Sequence, residues 1–138
     1  MLRLITNLFF IIILFCFTHA FALQTEWSNG IESQVRIISP LTHTDNKNEL
    51  HLGLQYKLQD GWKTYWLSPG DGGFPQTIDW SESKNIENIE ILWPSPQEFK
   101  ILGFQSLGYL DSVVFPLRVS IQNVDKETFI VFEVNYLT

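Results

Sequence analysis

Cys16 is the chain's only cysteine, and it lies in an apolar run near the amino terminus. A single thiol forms no intramolecular disulfide, no Cys-based zinc site and no CxxC redox pair. Beyond residue 22 the imidazoles are His43 and His51, with Asp45 and Glu49 close by in sequence. These four could be imagined around a metal ion. However, His51 falls on the polar face of an alternating segment and His43 in a polar loop, so both read as solvated side chains. The one methionine is Met1, which leaves no soft ligand set for copper. No GxSxG elbow presents a serine nucleophile, and the carboxylates are scattered without a spacing that assigns acid and base roles. Gly70, Gly72 and Gly73 make no phosphate cradle, because GxxxxGKS or GxxxxGKT is absent and no helical pattern follows. The residues therefore predict no catalytic group, no metal and no cofactor.

What remains is a concentration of aromatic side chains. The segment Gly61-Trp62-Lys63-Thr64-Tyr65-Trp66-Leu67-Ser68-Pro69-Gly70-Asp71-Gly72-Gly73-Phe74-Pro75 carries three large rings within five residues, then a long Gly/Pro loop from Ser68 to Pro75. On a strand, Trp62, Thr64 and Trp66 share one face while Lys63 and Tyr65 take the other. Two roles stay open for these rings. The tryptophans fill a core and Tyr65 packs outside it, as most aromatics do. Alternatively, Trp62, Tyr65 and Trp66 form a platform for a peptide or a sugar. Asp71 then stands at its rim, and Pro69, Gly70, Gly73 and Pro75 shape the adjoining loop.

The elements that must position these residues read as strands. Leu50, Leu52, Leu54, Tyr56 and Leu58 are apolar at every second position, which marks a half-buried strand. Val113, Phe115, Leu117, Val119 and Ile121 repeat the pattern. Pro116 within it removes a ladder donor, so an edge or a bulge is expected there. Ile130, Phe132, Val134 and Tyr136 form a third set, and Phe129 and Val131 give it a second apolar face that would also be covered. Weaker strands are expected at Ile31 to Ile38, Trp62 to Trp66, Thr77 to Trp80 and Ile89 to Trp93. Asp60-Gly61 reads as a hairpin-type turn, and Trp93-Pro94-Ser95-Pro96 as a break. About seven short strands predict an all-β, immunoglobulin-like antiparallel β-sandwich, with a small β-barrel as the second choice. The Cys…Trp…Cys signature of true immunoglobulin domains is absent. Trp62, Trp66, Trp80 and Trp93 are expected to be mostly buried.

Composition agrees with one folded domain. The chain has 138 residues, 45% hydrophobic and 17% charged, which is too apolar for a disordered tail. A net charge of -6 argues against nucleic acid as a partner. Residues 1–22 have the form of an export signal: Arg3, then the apolar run Leu8 to Phe17, then Ala20-Phe21-Ala22 as a small-x-small cleavage site. The run is too short to span ~30 Å of hydrocarbon comfortably. Phe15 before Cys16 does not suit a lipoprotein. Cleavage after Ala22 would leave the domain 23–138 without a cysteine and without a permanent membrane span.

The segment GWKTYWLSPGDGGFP, followed by Asp79-Trp80-Ser81, resembles a signature of DsbD-type thiol:disulfide interchange proteins. Within them it is most similar to the exported amino-terminal domain of the suppressor of copper sensitivity B branch. Ile91-Leu92-Trp93-Pro94-Ser95-Pro96 with Phe99, then Gly108-Tyr109, then Val113-Val114-Phe115-Pro116-Leu117, and finally Val134-Asn135-Tyr136-Leu137 follow in the family's order. The resemblance covers about residues 26 to 138. It implies an immunoglobulin-like sandwich in the periplasm, placed ahead of a membrane electron-transferring domain and a thioredoxin-like domain. It further implies a partner that is a periplasmic thioredoxin-fold protein or the membrane part of a DsbD-like system.

In the family the reactive cysteine pair follows the Tyr-Leu step, whereas this sequence stops at Thr138. A strand from Phe129 to Leu137 with no turn or polar tail after it reads as a truncated product. The family's redox role therefore finds no sulfur to act through in residues 23–138. The expectation is a non-enzymatic binding or remnant module of a thiol–disulfide, cytochrome-biogenesis or copper-tolerance type of pathway. An unrelated exported peptide- or carbohydrate-binding module is the alternative.

Overall fold

Strict alternation of side-chain character shapes the two longest strands. On β3 (Glu49–Leu58) Leu54, Tyr56 and Leu58 are buried, and on β9 (Ser112–Ile121) Val113, Phe115, Leu117, Val119 and Ile121 are buried. They pair antiparallel without a break from Glu49↔Ser120 to Lys57↔Ser112. The computed structural model describes residues 23–41 and 47–135; these contain ten strands and no helix. The other strands are β1 (Leu23–Gln24), β2 (Ser33–Ser39), β4 (Lys63–Gly70), β5 (Thr77–Asp79), β6 (Ile86–Ile91), β7 (Gln97–Ile101), β8 (Phe104–Leu110) and β10 (Glu133–Asn135). One sheet runs β1-β2-β3-β9-β6, a second β4-β8-β7, and β10 pairs with β5. Separate antiparallel sheets around one core make the expected all-β sandwich rather than a closed barrel. The signal segment 1–22, His43, Asp45, Tyr136 and Leu137 lie outside the described residues.

Phe115 is the centre of the core and is fully buried. Three rings meet it edge-on: Tyr56 at 5.3 Å, Trp93 at 5.2 Å and Tyr109 at 5.2 Å between centroids. Tyr56 comes from the same sheet, Tyr109 from β8 of the facing sheet and Trp93 from the connection after β6, so these contacts tie the layers together. The positive ring edges point at negative ring faces, which is the favourable geometry for such pairs.

Several expectations need correction. Pro116 lies on a central strand, not an edge, and β3 passes it in unbroken register opposite Gly53. Its C=O accepts from Leu92 N–H at 2.9 Å, so its missing donor faces the place where β6 has just ended. The bulge in this part of the sheet is on β6, between Ile86 and Asn88. Asp60-Gly61 does form a turn, closed by Trp62 N–H to Gln59 O at 2.9 Å, but it joins strands of different sheets and makes no hairpin. Trp62, Trp66, Trp80 and Trp93 are mostly but not fully buried, as expected, and Trp66, Trp80 and Trp93 pack against the core. The last strand starts later than expected, at Glu133. Phe129 and Val131 are 50% and 47% exposed, since only Ile130, Phe132 and Val134 face the core. β1, β7 and β8 were not expected at all.

The outer edge of β2 is closed by the segment before it. Thr25 and Ser28 N–H donate to Ile37 O and Val35 O, at 2.9 and 2.8 Å. In return their hydroxyl oxygens accept from Ile37 N–H and Val35 N–H, at 3.0 and 2.9 Å. Side-chain oxygens thus stand in for a neighbouring strand's carbonyls and occupy the outward N–H groups of Val35 and Ile37.

Candidate functional site

β4 starts in register with β8: Lys63↔Leu110, Thr64↔Tyr109 and Tyr65↔Gly108. The register then shifts, and Gly70 is the next paired residue, opposite Ser106. Trp66, Leu67, Ser68 and Pro69 therefore stand against Leu107 alone, so the strand bulges. The expected loop begins only after Gly70, because Ser68 to Gly70 still belong to β4. Gly70 has φ +87°, and a Cβ there would lie 2.7 Å from Gln105 O, so only glycine returns the chain to β8.

The loop from Asp71 to Gln76 is pinned at both ends. Asp71 N–H donates to Gln105 O at 2.9 Å, and Ser106 Oγ donates to Gly72 O at 2.9 Å. At the far end Gln76 is buried and its Oε1 accepts from Tyr56 Oη. Between these anchors Gly73 lies over the ring of Tyr65: φ is +101°, and a Cβ there would stand 2.1 Å from Tyr65 Cε1. Tyr65 is only 8% exposed although it points away from the sandwich core. Its ring also meets Phe99 of β7 at 6.2 Å, and Lys63 Nζ lies 5.9 Å from the Phe99 centroid. Tyr65, Phe99 and the loop form a small second layer outside the main core.

The three rings singled out in the sequence do not share one surface. Tyr65 is covered by the loop. Trp66 packs against the main core, and Trp62 sits half-buried in the turn before β4. Gly70, Asp71 and Gly73 come together with Tyr65 on the β8 side, Pro69 is half-buried in the bulge, and Asp71 and Pro75 are exposed. Phe74 in the loop is 66% exposed, and Phe104, which lies against Gly72, is 57% exposed. Phe99, Ser106 and Gln76 complete the arrangement, and spacing gave no signal for the last two. Thr64 Oγ1, Trp66 Nε1 and Gln76 Nε2 are buried without a hydrogen-bond partner among the described residues.

Electrostatics here do not suggest proton transfer. Tyr109 Oη donates to Pro94 O at 2.7 Å, and burial pushes its pKa up to about 12, so it stays a neutral phenol. Asp79 lies below its ordinary carboxylate range, held there mainly by the Ser81 backbone N–H, which donates to its Oδ1 at 2.8 Å, with help from the Ser81 hydroxyl and Trp80 N–H. His51 Nε2 is 3.2 Å from Glu49 Oε1 on the exposed face of β3. No group of three or more His, Cys, Asp or Glu side chains that could hold a metal ion occurs among the described residues.

The comparisons with known proteins point one way. The chain resembles the crystal structure of the N-terminal periplasmic domain of ScsB from Proteus mirabilis, with a TM-score of 0.61 and 26% sequence identity. The match covers 83% of this chain and 50% of that one, so the chain spans about half the length of the domain it resembles. No curated protein sequence matches it. The model of the family described as "Thiol:disulfide interchange protein DsbD, N-terminal" matches residues 32–138. With the sandwich and the loop-capped Tyr65 layer in place, that match makes the chain a member of the DsbD N-terminal domain family.

Proposed function

We propose that this chain is a periplasmic docking module of a DsbD-like disulfide-reductase system, one that engages a thioredoxin-fold partner without exchanging electrons itself. The family match over residues 32–138 carries the pathway assignment. The cysteine content carries the chemical limit. A thiolate attacks a disulfide sulfur and expels the other sulfur, and a second thiol on the same protein must then release the partner. Cys16 is the chain's one sulfur of this kind and falls within the proposed signal. Family membership also removes the ground for an unrelated peptide- or sugar-binding module.

Docking is assigned to the loop-side surface at Pro69, Gly70, Asp71, Gly73 and Pro75, over Tyr65; Trp62 and Trp66 stand apart from it and take no part. Its exposed parts are Gly70, Asp71 and Pro75, and the buried Tyr65 lies under Gly73. The test pairs two measurements on the chain pre-reduced with dithiothreitol and desalted. It should not reduce an oxidised periplasmic thioredoxin-fold protein, yet it should bind that protein in a calorimetric titration. Asp71→Ala should weaken binding several-fold without altering the melting curve. Turnover by the chain would refute the electron-transfer limit, and absence of binding would refute the docking role.

A further inference from the structure

The second sheet ends on β7, and among the described residues no strand pairs with its outer side. β7 and β8 form a two-residue hairpin with Ile101↔Phe104 flanking Leu102 and Gly103, both at positive φ. Residues flanking such a turn exchange both backbone bonds, so the N–H and C=O of Gln97, Phe99 and Ile101 point at β8. Those of Glu98 and Lys100 point outward.

An alternating Glu and Lys pair ordinarily guards a strand edge. This guard fails against one partner. We propose that β7 pairs antiparallel with β7 of a second copy, about a two-fold axis through Phe99. In that register Glu98 of each copy faces Lys100 of the other, and each such pair exchanges its outward backbone bonds. The neighbouring registers, centred on Glu98 or on Lys100, place like charges opposite each other. Opposite-charge pairs across an antiparallel ladder are favourable and like-charge pairs are not, so the edge is complementary to itself in a single register.

The apolar residues agree with that axis. Phe99, Ile101 and Phe104 lie on one face of the hairpin, and Phe104 is 57% exposed. Pairing would continue this row across the axis. Leu102, 96% exposed at a strained positive φ, would fall opposite Pro96 of the second copy. A five-residue edge buries far less than the ~1,200–2,000 Å² of a stable interface, so the dimer is weak, with a dissociation constant on the order of 0.1 mM.

Sedimentation velocity on the full chain should show a reversible, concentration-dependent dimer. Glu98→Lys and Lys100→Glu each place like charges at both ends of the pairing and should weaken it about tenfold or more. An equimolar mixture of these two variants should regain the wild-type association, because each supplies what the other lacks. The double variant E98K/K100E should dimerise by itself. Both side chains are exposed, and unchanged circular dichroism verifies the fold of each variant. A chain that stays monomeric up to about 1 mM, well above the constant expected from its interface size, overturns the proposal. Single variants that dimerise as well as wild type, or a mixture no stronger than its components, overturn it equally.

Discussion

Replacing Phe115 tests whether the core is organised around one ring. The side chain is 0% exposed and meets Tyr56, Trp93 and Tyr109 edge-on, each with centroids between 5.2 and 5.3 Å away. Removing a buried phenylalanine to alanine costs about 3–5 kcal/mol in lost transfer energy and residual cavity. The three ring contacts, at ~0.5–1.5 kcal/mol each, account for a large part of that. Phe115→Leu keeps most of the volume but none of the ring geometry, so it should cost about half as much as Phe115→Ala. Urea denaturation measures both, with the slope unchanged if the unfolded states are alike. For a domain stable by ~5–15 kcal/mol the alanine variant is near the limit of folding, and the leucine variant keeps the series readable. A loss below about 1 kcal/mol for Phe115→Ala would mean that the aromatic cluster is not the organising centre and that the layers hold by other contacts.

Gly73→Ala drives a methyl group into the Tyr65 ring at positive φ, so it should lower the melting temperature and expose Tyr65 to solvent quenching of its fluorescence. Tyr109→Phe removes the hydrogen bond to Pro94 O and should cost about 1 kcal/mol by denaturant titration. Because burial raises the Tyr109 pKa from 10.0 to about 12, its contribution is complete below pH 10 and is lost as pH rises through 12. An alkaline ultraviolet titration should find Tyr109 ionising late, and Tyr109→Phe should remove that step. The depressed Asp79 works in the opposite sense: its contribution is present above 3.8 and fades as pH falls through the lower folded value. Carboxyl NMR should therefore place its midpoint below 3.8, and replacing Ser81 with glycine should move it only partly back, since the leading backbone donor remains.

Strands β3 and β9 were legible in the sequence because each has one face in the core and the other in water, so burial writes a period of two directly into side-chain type. β8 was not. Its Ser106 and Gly108 are small because the loop and β4 lie against them, so the pattern Phe-Gln-Ser-Leu-Gly-Tyr-Leu encodes tertiary contact in place of alternation. The same cause hid the burial of Tyr65. Alternation placed it on the outer face correctly, but the cover that buries it comes from Gly73, eight residues on, through a backbone approach that no periodicity reveals. Pro116 misled for a local reason. A missing donor is harmless on a central strand when the neighbouring strand ends beside it, and where β6 ends cannot be read from β9. The family motifs located the loop, and the structure supplied what holds it.

The ladder between β3 and β9 sets the order of events in folding. Leu54 and Phe115, which face each other in that ladder, are roughly sixty residues apart in sequence. Nearly all that β3 buries depends on a strand synthesised long after it, and closing so long a loop precedes any return from burial. β2 can join β3 early, but that pair has no core to cover until β9 arrives. The chain should therefore collapse late and slowly for its size. A chain threaded through a membrane before it folds would gain from that delay, because the segment that locks the sandwich leaves the ribosome roughly sixty residues after β3. The topology thus gives the proposed exported chain a built-in grace period during which it remains a threadable polymer.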